Sequence, residues 1–162
     1  MIPFLRARAI QAALPGLSCA FPLSLLQELA GLAENMGGSS GGIYSILLTA
    51  AATAFQGLEV VEGGTWVEAL GLGLEAVMKY GGARPGDRTM LDALQPALLS
   101  LQAGGSVRAA VEAARRGAEQ TKDMKAQAGR ASYVAAEKVT GEDPGAVAAA
   151  AWLAAIGKVL EP

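Results

Sequence analysis

Segments of helix-forming residues, each ending at a glycine- or proline-containing turn, follow one another along the whole chain, and this pattern constrains the fold most. Aromatic residues make up 5% of the chain although hydrophobic residues make up 52%, so Leu, Val, Ile and Ala must fill the core. Alanine is the strongest helix former, and small side chains let helices approach closely. No segment is a convincing strand, and short connections favour antiparallel neighbours. The sequence therefore predicts an all-α antiparallel helical bundle, as a single domain over residues 1–162.

Hydrophobic spacings of three and four residues predict about seven helices. They cover residues 6–14, 22–36, 43–55, 65–80, 88–102, 107–124 and 146–160, and a further short helix reaches residue 140. Thr65 and Glu68 have the spacing of a capping box at the start of the fourth helix. Pro96 predicts a kink or an early break in the fifth. Asp143 as N-cap and Pro144 as first residue predict the start of the last.

Charge and rare residue types exclude several classes of function. The net charge is −2 without a cluster of Lys or Arg, so no nucleic-acid partner is expected. The chain has no histidine, which excludes Ser-His-Asp and Cys-His catalysis and most zinc sites. Cys19 is single, and we expect a small buried or loop thiol in a reducing compartment. With no signal peptide, and an apolar run at 146–156 too short to span a bilayer, a cytoplasmic protein without a membrane partner is expected.

Four glycine-rich polar segments, at residues 37–42, 81–89, 129–133 and 141–145, each precede a helix. A helix N-terminus offers unpaired backbone N–H groups and the positive end of the helix dipole, and glycine lets an oxyanion approach the backbone. Hydroxyl groups of Ser39, Ser40 and Thr89 add donors. The segment 37–42 by itself is more typical of a linker or a helix cap, and the chain has no P-loop motif. Together, the four segments favour a ligand that carries phosphate.

Four strings carry a resemblance to a known family: Met36–Gly41, Pro85–Asp92, Gly129–Tyr133 and Asp143–Ala146. In this order and at this spacing they resemble the nucleotide-binding L domain (DhaL-type) of dihydroxyacetone, or glycerone, kinases. The stretches 78–94 and 145–151 are most similar to the C-terminal domain of the animal triokinase/FMN cyclase group. The resemblance covers nearly the whole chain from about Arg8, and it implies an antiparallel eight-helix barrel with the nucleotide at one end.

The resemblance also implies roles for individual residues. Ser39 and Ser40 match serines that hold phosphate oxygens, and Gly81 matches a backbone contact to the nucleotide. Thr89 and Met90 match a pair at the phosphate or the adenine. The matches to the loop that closes over adenine and ribose are Asp143, Pro144 and Gly145. Arg130 matches a residue that contacts phosphate or braces the loops, whereas Met36, Met78 and Met124 are better interpreted as core residues.

The family's metal site has no counterpart among the aspartates of this chain. In the family, a Gly-Asp-Gly-Asp or Gly-Asp-Ala-Asp loop and a further upstream Asp hold two Mg²⁺ ions on the nucleotide phosphates. The aspartates here are Asp87, Asp92, Asp123 and Asp143, and no two form an Asp-x-Asp pair. By the resemblance, the first helix of the barrel and the dihydroxyacetone-binding K domain with its histidine are absent as well. We therefore expect an N-terminally truncated domain that is inactive by itself and that binds ATP or ADP weakly or not at all.

A second hypothesis remains open at this point. The missing first helix would expose an apolar groove, and the chain would then be a non-catalytic helical interaction module. Such a module would bind a kinase subunit, or a second copy of itself, and would ignore nucleotide.

Overall fold

The computed structural model describes residues 12, 14–17 and 21–161, and within that part of the chain every regular element is a helix. The α-helices are α1 (Pro22–Met36), α2 (Gly38–Ala52), α3 (Gly63–Gly81), α4 (Leu91–Gln102), α5 (Val107–Gln120) and α6 (Pro144–Leu160). Short 3-10 helices lie at Leu14–Gly16, Thr53–Phe55, Thr121–Asp123, Arg130–Tyr133 and Ala136–Lys138. Cys19 and most of the helix predicted over 6–14 lie outside the described residues. The all-helical prediction is confirmed for the described part.

Contacts between residues divide the chain into two compact units, one up to Gly81 and one from Gly82. In the first unit α1 packs on α2 and α2 packs on α3. Five buried residues form a hydrophobic cluster there: Leu26, Ala51, Ala52, Phe55 and Ala69. Phe55 meets Trp66 edge to face, with ring centroids 4.7 Å apart, a geometry that aromatic pairs prefer. The prediction of a single domain over 1–162 stays a prediction.

The core of the second unit is built mainly from alanine and leucine. Here α4 packs on both α5 and α6, and α5 packs on α6. Its fully buried side chains include Leu91, Leu94, Ala97, Ala114, Ala146 and Ala149. Side chains cap two of these helices at their N-termini. Ser106 caps α5 by accepting from the Ala109 N–H at 3.2 Å, and Asp143 caps α6 by accepting from the Ala146 N–H at 2.8 Å. The Asp143–Pro144 start predicted for the last helix is confirmed.

Two predicted helix starts in the first unit are wrong. Helix α2 begins at Gly38, and so the glycines and serines predicted as a break form its first turn. The chain breaks at Gly37 and at the first residue of α2, Gly38, whose φ values of +65° and +69° suit glycine. Helix α3 begins at Gly63, which places the predicted N-cap Thr65 inside the helix, with its N–H donated to the Glu62 carbonyl at 3.1 Å. Glycine has a weak helix propensity, yet both helices begin inside glycine-containing segments rather than after them.

Pro96 does not interrupt α4, which runs from Leu91 to Gln102. Proline has no N–H to donate to the carbonyl four residues earlier, which belongs to Asp92. Gly117 of α5 lies directly against that carbonyl oxygen, and a Cβ on Gly117 would overlap it. The close approach of α5 is possible because residue 117 has no side chain. The predicted early break is wrong, and the predicted kink stays a prediction.

Three smaller differences concern the loops of the second unit. Helix α4 begins at Leu91 rather than at residue 88 or 89, because residues 88–90 form a turn. Helix α5 ends at Gln120 and continues as a 3-10 turn, and the short helix predicted before residue 140 consists only of 3-10 turns. Arg115 of α5 pairs with Glu112 and Glu119 on an exposed face. None of the helices that the structure describes has the length and hydropathy needed to cross a membrane.

Candidate functional site

The N-terminus of α2 presents an open set of hydrogen-bond donors in the first unit. Gly38, Ser39 and Ser40 form its first turn and are all exposed. No side chain caps this end, so the first backbone N–H groups have no partner within the helix. Because these N–H groups lie at the positive end of the helix dipole, the turn can bind an anion. Ser39 and Ser40 therefore lie exposed at a helix end that no side chain caps.

Gly81, the last residue of α3, lies beside the same end of α2. A Cβ on Gly81 would be 2.8 Å from Cδ1 of Ile43, one helical turn beyond Ser39 and Ser40. The residues predicted to contact nucleotide in the first unit are thus brought to one region. A Cβ at residue 81 would meet the flexible end of the Ile43 side chain and no backbone atom, and Gly81 itself is exposed beside α2.

The turn before α4 is organised by one buried carboxylate. Asp92 is 5% exposed, and its two oxygens accept hydrogen bonds from the backbone N–H groups of Gly86 and, at 2.7 Å, of Thr89. The Thr89 hydroxyl accepts from the Leu91 N–H at 3.2 Å, and Met90 is buried. Charge-assisted bonds of this kind are the stronger ones in proteins. Thr89 and Met90 are therefore held by a fixed turn and not by a flexible glycine loop.

The segment 143–145 lies against that turn. A Cβ on Gly145 would be 3.7 Å from the Met90 backbone nitrogen and 2.9 Å from Oδ1 of Asp143. Asp143 caps α6, and its own N–H donates to the Thr121 hydroxyl at 2.8 Å. The second unit thus brings together the five residues that the resemblance assigns to this part of the site: Thr89, Met90, Asp143, Pro144 and Gly145. Their contacts to nucleotide stay a prediction.

Sequence reasoning missed Arg88, which joins these segments. Its side chain is buried, and its guanidinium donates to the carbonyls of Thr121 at 3.1 Å and Gly141 at 2.9 Å. It also faces the Asp143 carboxylate at 3.8 Å. These partners lie 33 to 55 residues away along the chain, so no local motif could reveal them.

The remaining predicted residues lie outside these hydrogen-bonded segments. Arg130 is exposed, and Tyr133 in the same 3-10 turn is 91% exposed. Met36, Met78 and Met124 are half-buried, in keeping with their interpretation as packing residues. Among the described residues no group of three or more Asp, Glu, Cys or His side chains could hold a metal ion. These residues therefore do not fit the two-magnesium site of the resembled family.

Comparisons with known proteins show the family to which the chain belongs. The family model of the DAK2 domain matches residues 6–158. The chain is similar to human triokinase/FMN cyclase, with 48% identity over 96% of this chain and 28% of that protein. It is also similar to the dihydroxyacetone kinase of Citrobacter freundii, with 53% identity over 68% of this chain and 20% of that protein. The chain therefore spans about a quarter of the length of these relatives.

Solved structures show the same fold. The crystal structure of the C. freundii dihydroxyacetone kinase in its native form matches with a TM-score of 0.74 and 36% identity, over 95% of this chain and 27% of that one. The complex of that kinase with AMP-PNP and Mg²⁺ matches with a TM-score of 0.73 and 38% identity, over 95% of this chain and 26% of that one. The predicted L-domain fold is confirmed, and the chain belongs to the DAK2 domain family of the dihydroxyacetone kinases and triokinases.

Proposed function

We propose that this chain is the ATP- or ADP-binding phosphotransfer domain of a dihydroxyacetone (glycerone)/glyceraldehyde kinase and FMN cyclase. Relatives of that description share 46–48% identity with it, and a kinase of the same fold binds AMP-PNP and Mg²⁺. In this proposal Ser39 and Ser40 contact phosphate oxygens, as does the backbone near Gly81. Thr89, Met90 and the segment 143–145 contact the rest of the nucleotide.

The uncapped N-terminus of α2 is the observation that carries the proposal. Side chains cap α5 and α6, whereas none caps α1, α2 or α4. At α2 the residue before the helix is Gly37, and the serines inside the first turn are exposed. Donors left open in this way suit an anionic ligand, and hydrogen bonds to a charged group contribute roughly 1.5–3 kcal/mol each.

We further propose that these 162 residues transfer phosphate at a negligible rate by themselves. Phosphoryl transfer depends on metal ions that neutralise the charge of the transition state. The described residues contain no carboxylate cluster for such ions, and the chain has no histidine to anchor a carbonyl substrate. A dihydroxyacetone-binding K domain is the partner that would supply the substrate.

Isothermal calorimetry with ATP and with ADP, each with and without millimolar Mg²⁺, tests the proposal. We expect weak binding that Mg²⁺ does not strengthen. Replacing Ser39→Ala together with Ser40→Ala should weaken it roughly tenfold or more, since the loss of about 1.4 kcal/mol is tenfold in affinity. Ser24→Ala, on an exposed position of α1, is the matched control and should bind as the unchanged chain does.

Two outcomes would contradict the proposal. Binding that requires Mg²⁺ would show that carboxylates elsewhere replace the family's metal loop, and the inactivity proposal would then fail. Absence of any binding would favour the alternative, a non-catalytic interaction module that binds a kinase subunit or a second copy of itself.

A further inference from the structure

Arg88 occupies a backbone conformation that residues with a side chain rarely adopt. Its φ is +64°, and among the described residues it is the one non-glycine with a positive φ. The glycine immediately before Asp87 also has a positive φ, of +97°, so the turn reverses sharply just before α4. Arginine in the left-handed region is strained, and such strain persists only where the surroundings determine it. What holds Arg88 there must therefore involve its side chain, because glycine would fit the backbone better.

The side chain of Arg88 is buried, with 3% of the residue exposed, and its guanidinium meets three acceptors on two segments. Nε donates to the carbonyl of Thr121, just after α5, and one terminal nitrogen donates to the carbonyl of Gly141. The other terminal nitrogen faces the carboxylate of Asp143. The planar fork of a guanidinium can reach all three acceptors at once, which a lysine ammonium cannot do in the same geometry.

These contacts converge on the start of the segment 141–145. Thr121 supplies the hydroxyl that accepts the Asp143 N–H and donates to the Ala118 carbonyl at 2.6 Å. Asp143 in turn caps α6. Arg88 therefore restrains the segment directly, through the Gly141 carbonyl and the Asp143 carboxylate. It also restrains the segment indirectly, through Thr121, whose hydroxyl binds the Asp143 N–H.

We propose that Arg88 is a positioning residue for nucleotide binding. Its guanidinium holds the segment 141–145 in the conformation that receives the adenine and ribose, and it does so without touching the ligand. This inference rests on the proposed function, because it concerns the same nucleotide. It predicts that loss of the guanidinium weakens the contacts of the segment 141–145 with adenine and ribose. The contacts of Ser39 and Ser40 with phosphate should stay unchanged.

The test compares two ligands on three variants of the full chain. Arg88→Gly removes the side chain and relieves the backbone strain, whereas Arg88→Lys keeps the charge and removes the fork. Arg116→Ala, on the exposed face of α5, is the control. Dissociation constants for ADP and for inorganic tripolyphosphate are measured by calorimetry or NMR titration, at a temperature where thermal melting shows every variant folded.

We expect the ADP dissociation constant to rise at least tenfold in Arg88→Gly and severalfold in Arg88→Lys, while that for tripolyphosphate stays within twofold. A merely structural role would raise both constants together, and that result would overturn the proposal. Unchanged ADP binding in Arg88→Gly would overturn it as well.

Amide hydrogen exchange without ligand separates this proposal from the proposed function. If the unchanged chain binds neither ligand, the proposed function fails, and exchange at the Asp143 and Ala146 amides then tests the restraint by itself. Faster exchange in Arg88→Gly supports the positioning of the segment, and equal exchange overturns it.

Discussion

The two units present their candidate ligand groups in opposite ways. In the first unit Ser39 and Ser40 stand exposed at a helix end that no side chain caps. In the second unit Thr89, Met90 and Asp143 belong to turns whose backbone is held by Asp92, Thr121 and Arg88, all three buried. In the first unit the donors are open to a ligand, whereas in the second unit the polar groups form hydrogen bonds within the protein.

This difference separates two requirements of binding. An oxyanion is recognised by any convergent set of N–H and O–H donors, so an open helix end is sufficient. A base and a sugar are recognised by shape, which requires a loop that keeps one conformation before binding. Substitutions in the second unit should therefore change stability and binding together, whereas those at the serines should change binding alone.

The largest effect is expected for Gly117→Ala in the second unit. The new Cβ would overlap the Asp92 carbonyl, which is backbone and cannot rotate away, so α5 must move from α4. Overpacking of this kind costs about 3 kcal/mol of unfolding free energy. Urea unfolding measures it, and Gly31→Ala, where nothing lies within 4 Å of the new Cβ, is the control. The control should gain roughly 0.5–1 kcal/mol from helix propensity. Equal stability of both variants would contradict the close approach.

Asp143→Ala should cost about 2 kcal/mol, since it removes a helix cap and the carboxylate that faces a buried guanidinium. Asp143→Asn keeps an oxygen that can cap α6 and removes only the charge, so its loss should be smaller. Thermal melting of the two variants measures both. If Asn were as damaging as Ala, the ion pair with Arg88 and not the cap would dominate.

Gly41→Ala tests whether the first unit contains a comparable close contact. Its Cβ would be 2.6 Å from the Ala33 carbonyl oxygen, so α2 must shift away from α1. We expect a loss of about 1 kcal/mol, because the better helix propensity of alanine offsets part of the clash. Because residue 41 follows the serines, tripolyphosphate binding should weaken as well. Unfolding in urea and a titration with tripolyphosphate check the two effects.

The smallest effect on stability is expected for Ser39→Ala with Ser40→Ala. Both side chains are exposed, and substitutions at such positions usually change the free energy of unfolding by less than about 0.5 kcal/mol. Binding of ATP should nevertheless weaken, as proposed above. A large drop in the melting temperature would show that the serines are structural, and the comparison between the units would then fail.

Sequence patterns predicted the elements whose determinants are local. The capping aspartate and the following proline at the start of α6 are neighbours in the chain, and their roles follow from side-chain chemistry. The same holds for the extent of α1, with Pro22 at its first position and glycine after Met36.

The failures occurred where a distant partner decides the structure. Helix α2 extends through glycines, and one of them, Gly41, packs closely on α1. Helix α4 continues through Pro96, with Gly117 against the carbonyl that proline leaves free. Arg88 was missed for the same reason, since its acceptors lie on segments that only folding brings near. Family resemblance, rather than periodicity, identified the candidate site residues.

Three glycines lie against main-chain carbonyl oxygens of a neighbouring helix: Gly41 at Ala33, Gly73 at Leu47 and Gly117 at Asp92. Where two packed helices present mainly alanine to each other, the same methyl group recurs at many positions. Such surfaces alone would allow the two helices to pack in several positions along their axes with similar energy. A glycine opposite a carbonyl reduces that degeneracy: sliding α5 by one helical turn, for example, would bring Ala114 or Thr121, and hence a Cβ, against the Asp92 oxygen. These contacts therefore specify the register of each helix pair, and substitutions there should populate misaligned, dynamic packings rather than simply weaken the native one.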